Sequence, residues 1–172
     1  MSDASPTTFD ADAALAALTA QLAPIVADCP NAVIVGVETG GAWIAQRLHQ
    51  HFDLASPLCT INISFYRDDF SMVGLHPSVG PSHIPADIDD ATVILVDDVL
   101  YTGRTVRAAL NELFDYGRPA AVRLGVLVDR GCRELPFAAD ATGLNLDLAG
   151  DHQIKLTGPG PLQLVLRQGV SS

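Results

Sequence analysis

One stretch of the sequence decides the fold: Val93-Ile94-Leu95-Val96-Asp97-Asp98-Val99-Leu100-Tyr101-Thr102-Gly103-Arg104-Thr105. The apolar residues over 91–96 predict a strand that is buried on both faces. Two adjacent carboxylates end that predicted strand, and a loop over 99–105 leads into a helix that continues to about Tyr116, where Gly117 closes it. The stretch therefore predicts a strand, a polar turn and a helix in direct succession.

Similar units lie on both sides of this stretch. Apolar runs predict strands over 32–37, 58–66 and 122–128, and amphipathic patterns predict helices over 9–28 and 42–52. Strands that alternate with helices at this spacing indicate parallel pairing through crossover helices. We therefore predict an α/β fold, with an open, mostly parallel sheet flanked by helices.

Two segments depart from this alternation. Residues 67–91 contain three prolines and two glycines and predict a flexible lid loop. Residues 131–172 are rich in Gly and Pro and hold short alternating stretches, which predict a small hood and a short β-rich C-terminal tail. The length of 172 residues suits one α/β domain and is too short for two ordinary ones, so we expect a single domain over 1–172.

The composition narrows the partners and the compartment. Ten basic residues against twenty acidic ones give a net charge of −10, which makes RNA binding doubtful because nucleic acids are polyanions. No stretch approaches the roughly 18 apolar residues of a membrane span, and the opening residues do not resemble a secretory signal. The three cysteines are far apart and odd in number, so we expect reduced thiols in a cytoplasmic protein.

The polar part of the deciding stretch predicts a phosphosugar pocket. The carboxylates of Asp97 and Asp98 suit the vicinal hydroxyls of a ribose or a cation. The free amides of the following helix start form an anion site, to which Thr102 and Thr105 add hydroxyl donors. A Walker A loop is excluded because Gly103-Arg104-Thr105 lacks both the lysine and the preceding glycine, and no GxGxxG follows a strand. A diol site beside a phosphate site describes a pocket for ribose 5-phosphate.

The same stretch resembles the phosphoribosyl-diphosphate signature of type I phosphoribosyltransferases, in the form found in the pyrimidine-operon regulators of that family. Three further segments agree with the resemblance, which covers roughly residues 9–145: 66–69, 117–119 and 126–136, the last with Asp129-Arg130-Gly131 and Arg133-Glu134-Leu135-Pro136. Several positions depart from the family, among them Asn62, in place of an aspartate, and Cys132, in place of a histidine. Gly40 stands where many members have arginine, and Ala141 where they often have an aromatic residue.

The resemblance implies a role for each matching residue. Asp97 and Asp98 are the expected catalytic residues, which hold the ribose hydroxyls and help to place Mg²⁺ that is bound mainly by the substrate, with no direct protein ligand set. Arg67, at the start of the lid, is the third expected catalytic residue and pairs with diphosphate. Expected substrate-binding residues are those of the diphosphate turn (Thr39, Gly40, Gly41), the 5-phosphate loop (Val99, Leu100, Tyr101, Thr102, Gly103, Arg104, Thr105) and the base pocket (Asp129, Arg130, Thr142).

The resemblance also implies the reaction, the transfer of phosphoribosyl from 5-phosphoribosyl-1-diphosphate to uracil, with UMP and diphosphate as products. Purine-specific relatives often have a carboxylate where Tyr101 stands, which favours a pyrimidine. Two alternatives stay open: a regulator that senses uridine nucleotides and binds operon mRNA with weak or no catalysis, and transfer to another base. A homo-oligomer, most simply a dimer, is expected. Because Asp97 and Asp98 are predicted at a strand end outside the core, a double change of both to Asn is expected to leave the fold intact.

Overall fold

A computed structural model describes residues 6–63 and 81–169 of the chain. Its helices and strands, in chain order, are β1 Thr8–Phe9, α1 Ala11–Ala27, β2 Val33–Val37, α2 Gly40–Phe52, β3 Cys59–Ile61, β4 Thr92–Leu100, α3 Arg104–Phe114, β5 Ala121–Asp129, β6 Ala141–Asn145, β7 His152–Thr157 and β8 Gln163–Gln168. Within these ranges no helix is long and apolar enough to cross a membrane.

Five strands form a parallel sheet in the order β3-β2-β4-β5-β6. All five residues of β2 are buried, as are the apolar residues of β4 from Val93 to Val96, because helices cover both faces of the sheet. On one face, Leu18 and Leu22 of α1 pack together with Ile44 and Leu48 of α2. Helix α3 covers the other face with a separate apolar cluster. The predicted open α/β sheet is confirmed.

A second sheet is antiparallel, with the order β1-β8-β7, and we call it the hood sheet. Its buried side chains, among them Ile154, Leu156 and Leu164, belong to the same apolar cluster as α1 and α2. The expected β-rich tail is thus present as β7 and β8. The N-terminal strand β1 was not predicted, and β6 joins the main sheet although it falls within the segment predicted as hood and tail.

Several predicted boundaries are wrong. Strand β4 does not end at the carboxylates but continues through Asp97 and Asp98 to Leu100, because its ladder with β5 extends as far as Leu100 and Asp129. The predicted loop over 99–105 therefore starts at Tyr101. Helix α2 begins at Gly40, two residues earlier than predicted. The predicted strand over 58–66 is β3 as far as Ile61, and residues 64–80 lie outside the described ranges.

The described end of the predicted lid segment, from Pro81 onward, is tied to β3. Thr60 and His83 exchange two backbone hydrogen bonds of 2.8 Å. The Ser82 hydroxyl accepts the amide of Asn62 at 2.9 Å and donates to Glu112 of α3 at 2.9 Å. The two chain ends that flank 64–80 are therefore held side by side.

Candidate active site

A cavity of about 820 Å³ lies at the carboxyl end of the parallel sheet, where ligands bind in open α/β folds. It gathers predicted residues from three separate places in the chain: Thr39 and Gly40, then Asp97, Asp98, Val99, Tyr101, Thr102, Arg104 and Thr105, and finally Arg130. Sequence reasoning missed its remaining wall, which consists of Trp43 on α2 and Gly150, Gln153, Ile154, Lys155 and Leu156 on or beside β7.

The two neighbouring carboxylates differ in their surroundings. Asp97 is only 3% exposed, and its Oδ1 accepts the amide of Asp98 at 2.8 Å. Asp98 is partly exposed, and its Oδ1 accepts the amide of Val99 at 2.8 Å. The expectation that both carboxylates lie outside the core is therefore wrong for Asp97, because it sits inside β4 and not after it.

Glycines bring the start of α2 directly against β4. A Cβ atom built on Gly40 would collide with the carboxylate of Asp98, and one on Gly41 would lie 2.5 Å from the carbonyl oxygen of Val96. The N-cap residue, Thr39, makes no side-chain capping bond. The first turn of α2 thus lies close to the carboxylates, and a helix N-terminus of this kind can bind an anion.

A second helix start, that of α3, also borders the cavity. Gly103 has φ of +94°, a conformation that glycine adopts without strain, and α3 begins at the next residue with no side-chain cap. The amide of Arg104 donates to the Thr102 hydroxyl at 3.2 Å. The loop is fastened from outside, because the amides of Glu134 and Leu135 both donate to the Thr102 carbonyl at 2.9 Å.

Arg133 joins the loop that runs from Tyr101 to Thr105 to the end of β5. Its guanidinium donates to the Tyr101 carbonyl at 2.8 Å, to the Phe137 carbonyl at 2.9 Å and to the Asp129 carboxylate at 2.7 Å. Burial by itself raises the pKa of Asp129, but the hydrogen bonds from Arg133 and from the Gly131 amide, with the charge of Arg133, outweigh it, so the pKa lies below its ordinary value. Asp129 is therefore an anchor of the loop and is not among the residues that line the cavity.

Arg130 lines the cavity and stacks on the ring of Tyr101. It is 4% exposed, and its guanidinium carbon lies 3.9 Å from the centroid of the Tyr101 ring, a cation–π contact. Its Nη2 lies 3.5 Å from the Ala149 carbonyl, and its buried Nε has no hydrogen-bond partner among the described residues. The Arg130 amide donates to the Leu100 carbonyl at 3.0 Å, so its main chain continues the pairing of β4 with β5.

Four further predicted residues are described but do not line the cavity: Gly41, Leu100, Gly103 and Thr142. Arg67 lies outside the described residues. Thr142 lies on β6, where its amide and carbonyl both pair with the side chain of Gln21 on α1, at 3.0 and 2.7 Å. In the described ranges no three His, Cys, Asp or Glu side chains cluster as a metal site.

Comparison with known proteins agrees with this geometry. The model of the phosphoribosyl transferase domain family matches residues 10–163. The chain is 57% identical over 136 residues to the bifunctional protein PyrR of Nitrosococcus oceani, covering 78% of this chain and 77% of that protein. It is 55% identical over 130 residues to the PyrR of Pseudomonas aeruginosa, covering 76% of each.

Solved structures show the same fold. The purine phosphoribosyltransferase of Pyrococcus horikoshii is 27% identical with a TM-score of 0.59, and the match covers 79% of this chain and 82% of that one. A hypoxanthine-guanine phosphoribosyltransferase of Bacillus anthracis, 16% identical, has a TM-score of 0.64, with 94% and 96% covered. The matching family model and the PyrR relatives show that the chain belongs to the phosphoribosyl transferase family.

Proposed function

We propose that the chain is a uracil phosphoribosyltransferase of the PyrR type, which converts uracil and 5-phosphoribosyl-1-diphosphate into UMP and diphosphate. The observation that carries this proposal is a single cavity lined by two helix starts and two carboxylates. Helix starts bind phosphate groups and carboxylates accept hydrogen bonds from sugar hydroxyls. A donor with a phosphate on one side of a ribose and a diphosphate on the other matches that arrangement.

Each part of the cavity then has a task. The loop Tyr101–Thr105 at the start of α3 binds the 5-phosphate, and the turn at Thr39 and Gly40 faces the diphosphate. Asp98, supported by buried Asp97, holds the ribose hydroxyls. The bond from ribose C1 to diphosphate oxygen breaks, a bond from C1 to uracil N1 forms, and the N1 proton is released. Positioning and neutralisation of charge carry such a reaction, so no protein nucleophile is required.

Mg²⁺ is part of the proposal, as the ion that neutralises the diphosphate. The residues present fit it, since Mg²⁺ is commonly held by one or two carboxylates with the rest of its ligands from substrate phosphates and water. The donor would bind most of the ion's coordination sites, and Asp98, with its carboxylate at the cavity surface beside Gly40, would help to place it, while Asp97 accepts the backbone amide of Asp98.

The test of the proposal is a product assay with a panel of bases. Purified protein, Mg²⁺ and phosphoribosyl diphosphate are incubated with uracil, cytosine, hypoxanthine, guanine or adenine, and the nucleotides formed are separated and identified by chromatography. UMP from uracil, with the other bases at background, is the expected result. A purine nucleotide as the main product would contradict the choice of uracil and leave the family intact.

A second function is favoured by the name of the relatives, which are called bifunctional PyrR proteins at 53–57% identity. We propose as the alternative that the cavity senses uridine nucleotides while the protein binds pyrimidine-operon mRNA. The net charge of −10 weighs against an RNA face. Filter binding to leader RNA at two salt concentrations tests it, because true phosphate contacts weaken steeply with salt and no binding at low salt excludes the regulator.

The remaining part of the proposal concerns the setting of the protein. We propose that it works in the cytoplasm as a homo-oligomer, most simply a dimer. The thiols of Cys29, Cys59 and Cys132 are unpaired, in keeping with a reducing compartment. Sedimentation equilibrium measures the oligomeric state, and a mass equal to one chain across the working concentration range would contradict a dimer.

A further inference from the structure

Lys155 is the only lysine of the chain, and it lines the cavity. It lies on β7, where side chains alternate between the two faces of the strand. Ile154 and Leu156 are buried against the apolar core, whereas Gln153 and Lys155 are exposed on the opposite face. All four of these residues line the cavity, so the strand brings the lysine to that wall.

Contacts at the two ends of β7 show what the strand that carries Lys155 lies against. Just before the strand, the Ala149 carbonyl lies 3.5 Å from the guanidinium of Arg130. Just after it, a Cβ atom on Gly158 would lie 3.1 Å from the ring of Trp43, in the first turn of α2. Lys155 lines the same cavity as Trp43 and as Thr39 and Gly40 at the start of α2.

The turn over 38–41, which starts α2, contains no basic residue of its own. Between 38 and 41 the only ionisable residue is Glu38, and no side chain fits at Gly40 because its Cβ atom would meet Asp98. Arg104 pairs with Glu134 at 3.0 Å, and Arg130 is buried under Tyr101. Lys155 makes no ion pair within the described ranges.

We propose that Lys155 is a substrate-binding residue that contacts the diphosphate of the donor from the hood sheet, opposite the α2 amides. This rests on the proposed donor, phosphoribosyl diphosphate. The ammonium group is a compact charge with three donors on a flexible stem, which suits the mobile oxygens of a diphosphate. It would stabilise the charge that accumulates on the leaving group as the bond to ribose C1 breaks.

A variant series separates the diphosphate from the rest of the substrate. Calorimetry with magnesium diphosphate and, separately, with UMP is carried out on wild type, Lys155→Met, Lys155→Arg and Arg118→Met. Arg118 is an exposed cation at the opposite, amino-terminal edge of the sheet, so its variant controls for loss of charge alone. We expect Lys155→Met to weaken diphosphate binding roughly tenfold, as for one charged hydrogen bond, with UMP binding unchanged. Lys155→Arg should restore most of the affinity.

The single lysine allows a second test on the unaltered protein. Lys155 and the α-amino terminus are the only two amines that trace acetylation can modify, and peptide mass spectrometry reports both rates. Magnesium diphosphate should slow the acetylation of Lys155 while the terminal rate stays constant, and uracil alone should not. Equal rates with and without diphosphate, in protein that calorimetry shows to bind it, would overturn the role of Lys155. A wild type that binds neither diphosphate nor phosphoribosyl diphosphate would instead overturn the proposed donor.

Discussion

Asp98 is the residue whose charge the proposed chemistry needs and whose removal the fold tolerates. It is partly exposed beside Gly40, and the Val99 amide that it binds is satisfied equally by an amide oxygen. We expect Asp98→Asn to lower kcat/KM by at least about 100-fold, with a midpoint of thermal unfolding within about 2 °C of wild type. Initial rates and thermal denaturation measure both. A folded variant with unchanged kcat/KM would remove Asp98 from the site.

Asp97 is expected to behave differently because it is buried. An asparagine could still accept the Asp98 amide, but at 3% exposure its new amino group would replace a buried acceptor oxygen with a donor that little water can reach. Asp97→Asn should therefore lower the free energy of unfolding by about 1–3 kcal/mol as well as reduce turnover. Urea denaturation measures the first effect. Equal free energies of unfolding for the Asp97→Asn and Asp98→Asn proteins would contradict the expectation that only Asp97 contributes to stability.

Gly40 is required by its contact with Asp98. Gly40→Ala places a methyl group against the Asp98 carboxylate, so α2 or β4 must shift. We expect a loss of about 1–3 kcal/mol in the free energy of unfolding. Gly150→Ala is the control, since a Cβ atom there meets nothing within 4 Å. Chemical denaturation of both compares them, and a Gly40→Ala protein as stable as the control would show that the contact relaxes freely.

At the scale of elements, the loop over 130–137 holds the loop over 101–105 through Arg133. Arg133→Met removes bonds to the Tyr101 and Phe137 carbonyls and to Asp129. We expect the free energy of unfolding to fall by about 1–3 kcal/mol at pH 7 and the KM for phosphoribosyl diphosphate to rise. Arg123→Met is the control, because Arg123 is half-exposed and 3.6 Å from Asp140, and should cost less than about 1 kcal/mol.

The effect of Arg133→Met should depend on pH in a defined direction. The pKa of folded Asp129 lies below its ordinary value of 3.8, so its ionised form stabilises the fold above that pH, and this stabilisation is lost as pH falls through the folded pKa. The Arg133→Met protein has already lost the share of this stabilisation that comes from Arg133. The free energies of unfolding of wild type and Arg133→Met, measured by urea denaturation, should therefore differ less at about pH 3 than at pH 7. A larger difference in free energy of unfolding at about pH 3 than at pH 7 would contradict the assignment of the low Asp129 pKa to Arg133.

Elements with a strong local pattern could be predicted, and those set by distant pairing could not. The strand, turn and helix over 93–105 follow from adjacent residues, and so do most residues of the candidate site. Strand β1 exists because Thr8 pairs with Val165 across almost the whole chain. The place of Lys155 in the cavity depends on the same hood sheet, and nothing in its own sequence neighbourhood indicates it. The end of β4 was missed because Asp97 and Asp98 interrupt the apolar run while the ladder to β5 continues.

At the scale of the whole molecule, both sheets are needed to form one cavity. The parallel sheet supplies the two carboxylates and the two helix starts, and the hood sheet supplies the facing wall with Gln153 and Lys155. The apolar side of the hood sheet packs into the same core as α1 and α2, so the wall is fixed to the helix that starts at Gly40. This construction is the basis for assigning donor binding to residues far apart in the sequence.

The most direct test of the central claim, phosphoribosyl transfer in this cavity, is a ³¹P magnetic resonance time course. Wild type and Asp98→Asn are mixed with phosphoribosyl diphosphate, Mg²⁺ and uracil at equal concentrations of folded protein. Wild type should release free diphosphate and form the phosphate signal of UMP in equal amounts, while Asp98→Asn leaves the donor nearly intact. Diphosphate without UMP, no change of the donor in wild type, or equal rates in the two proteins would contradict the account.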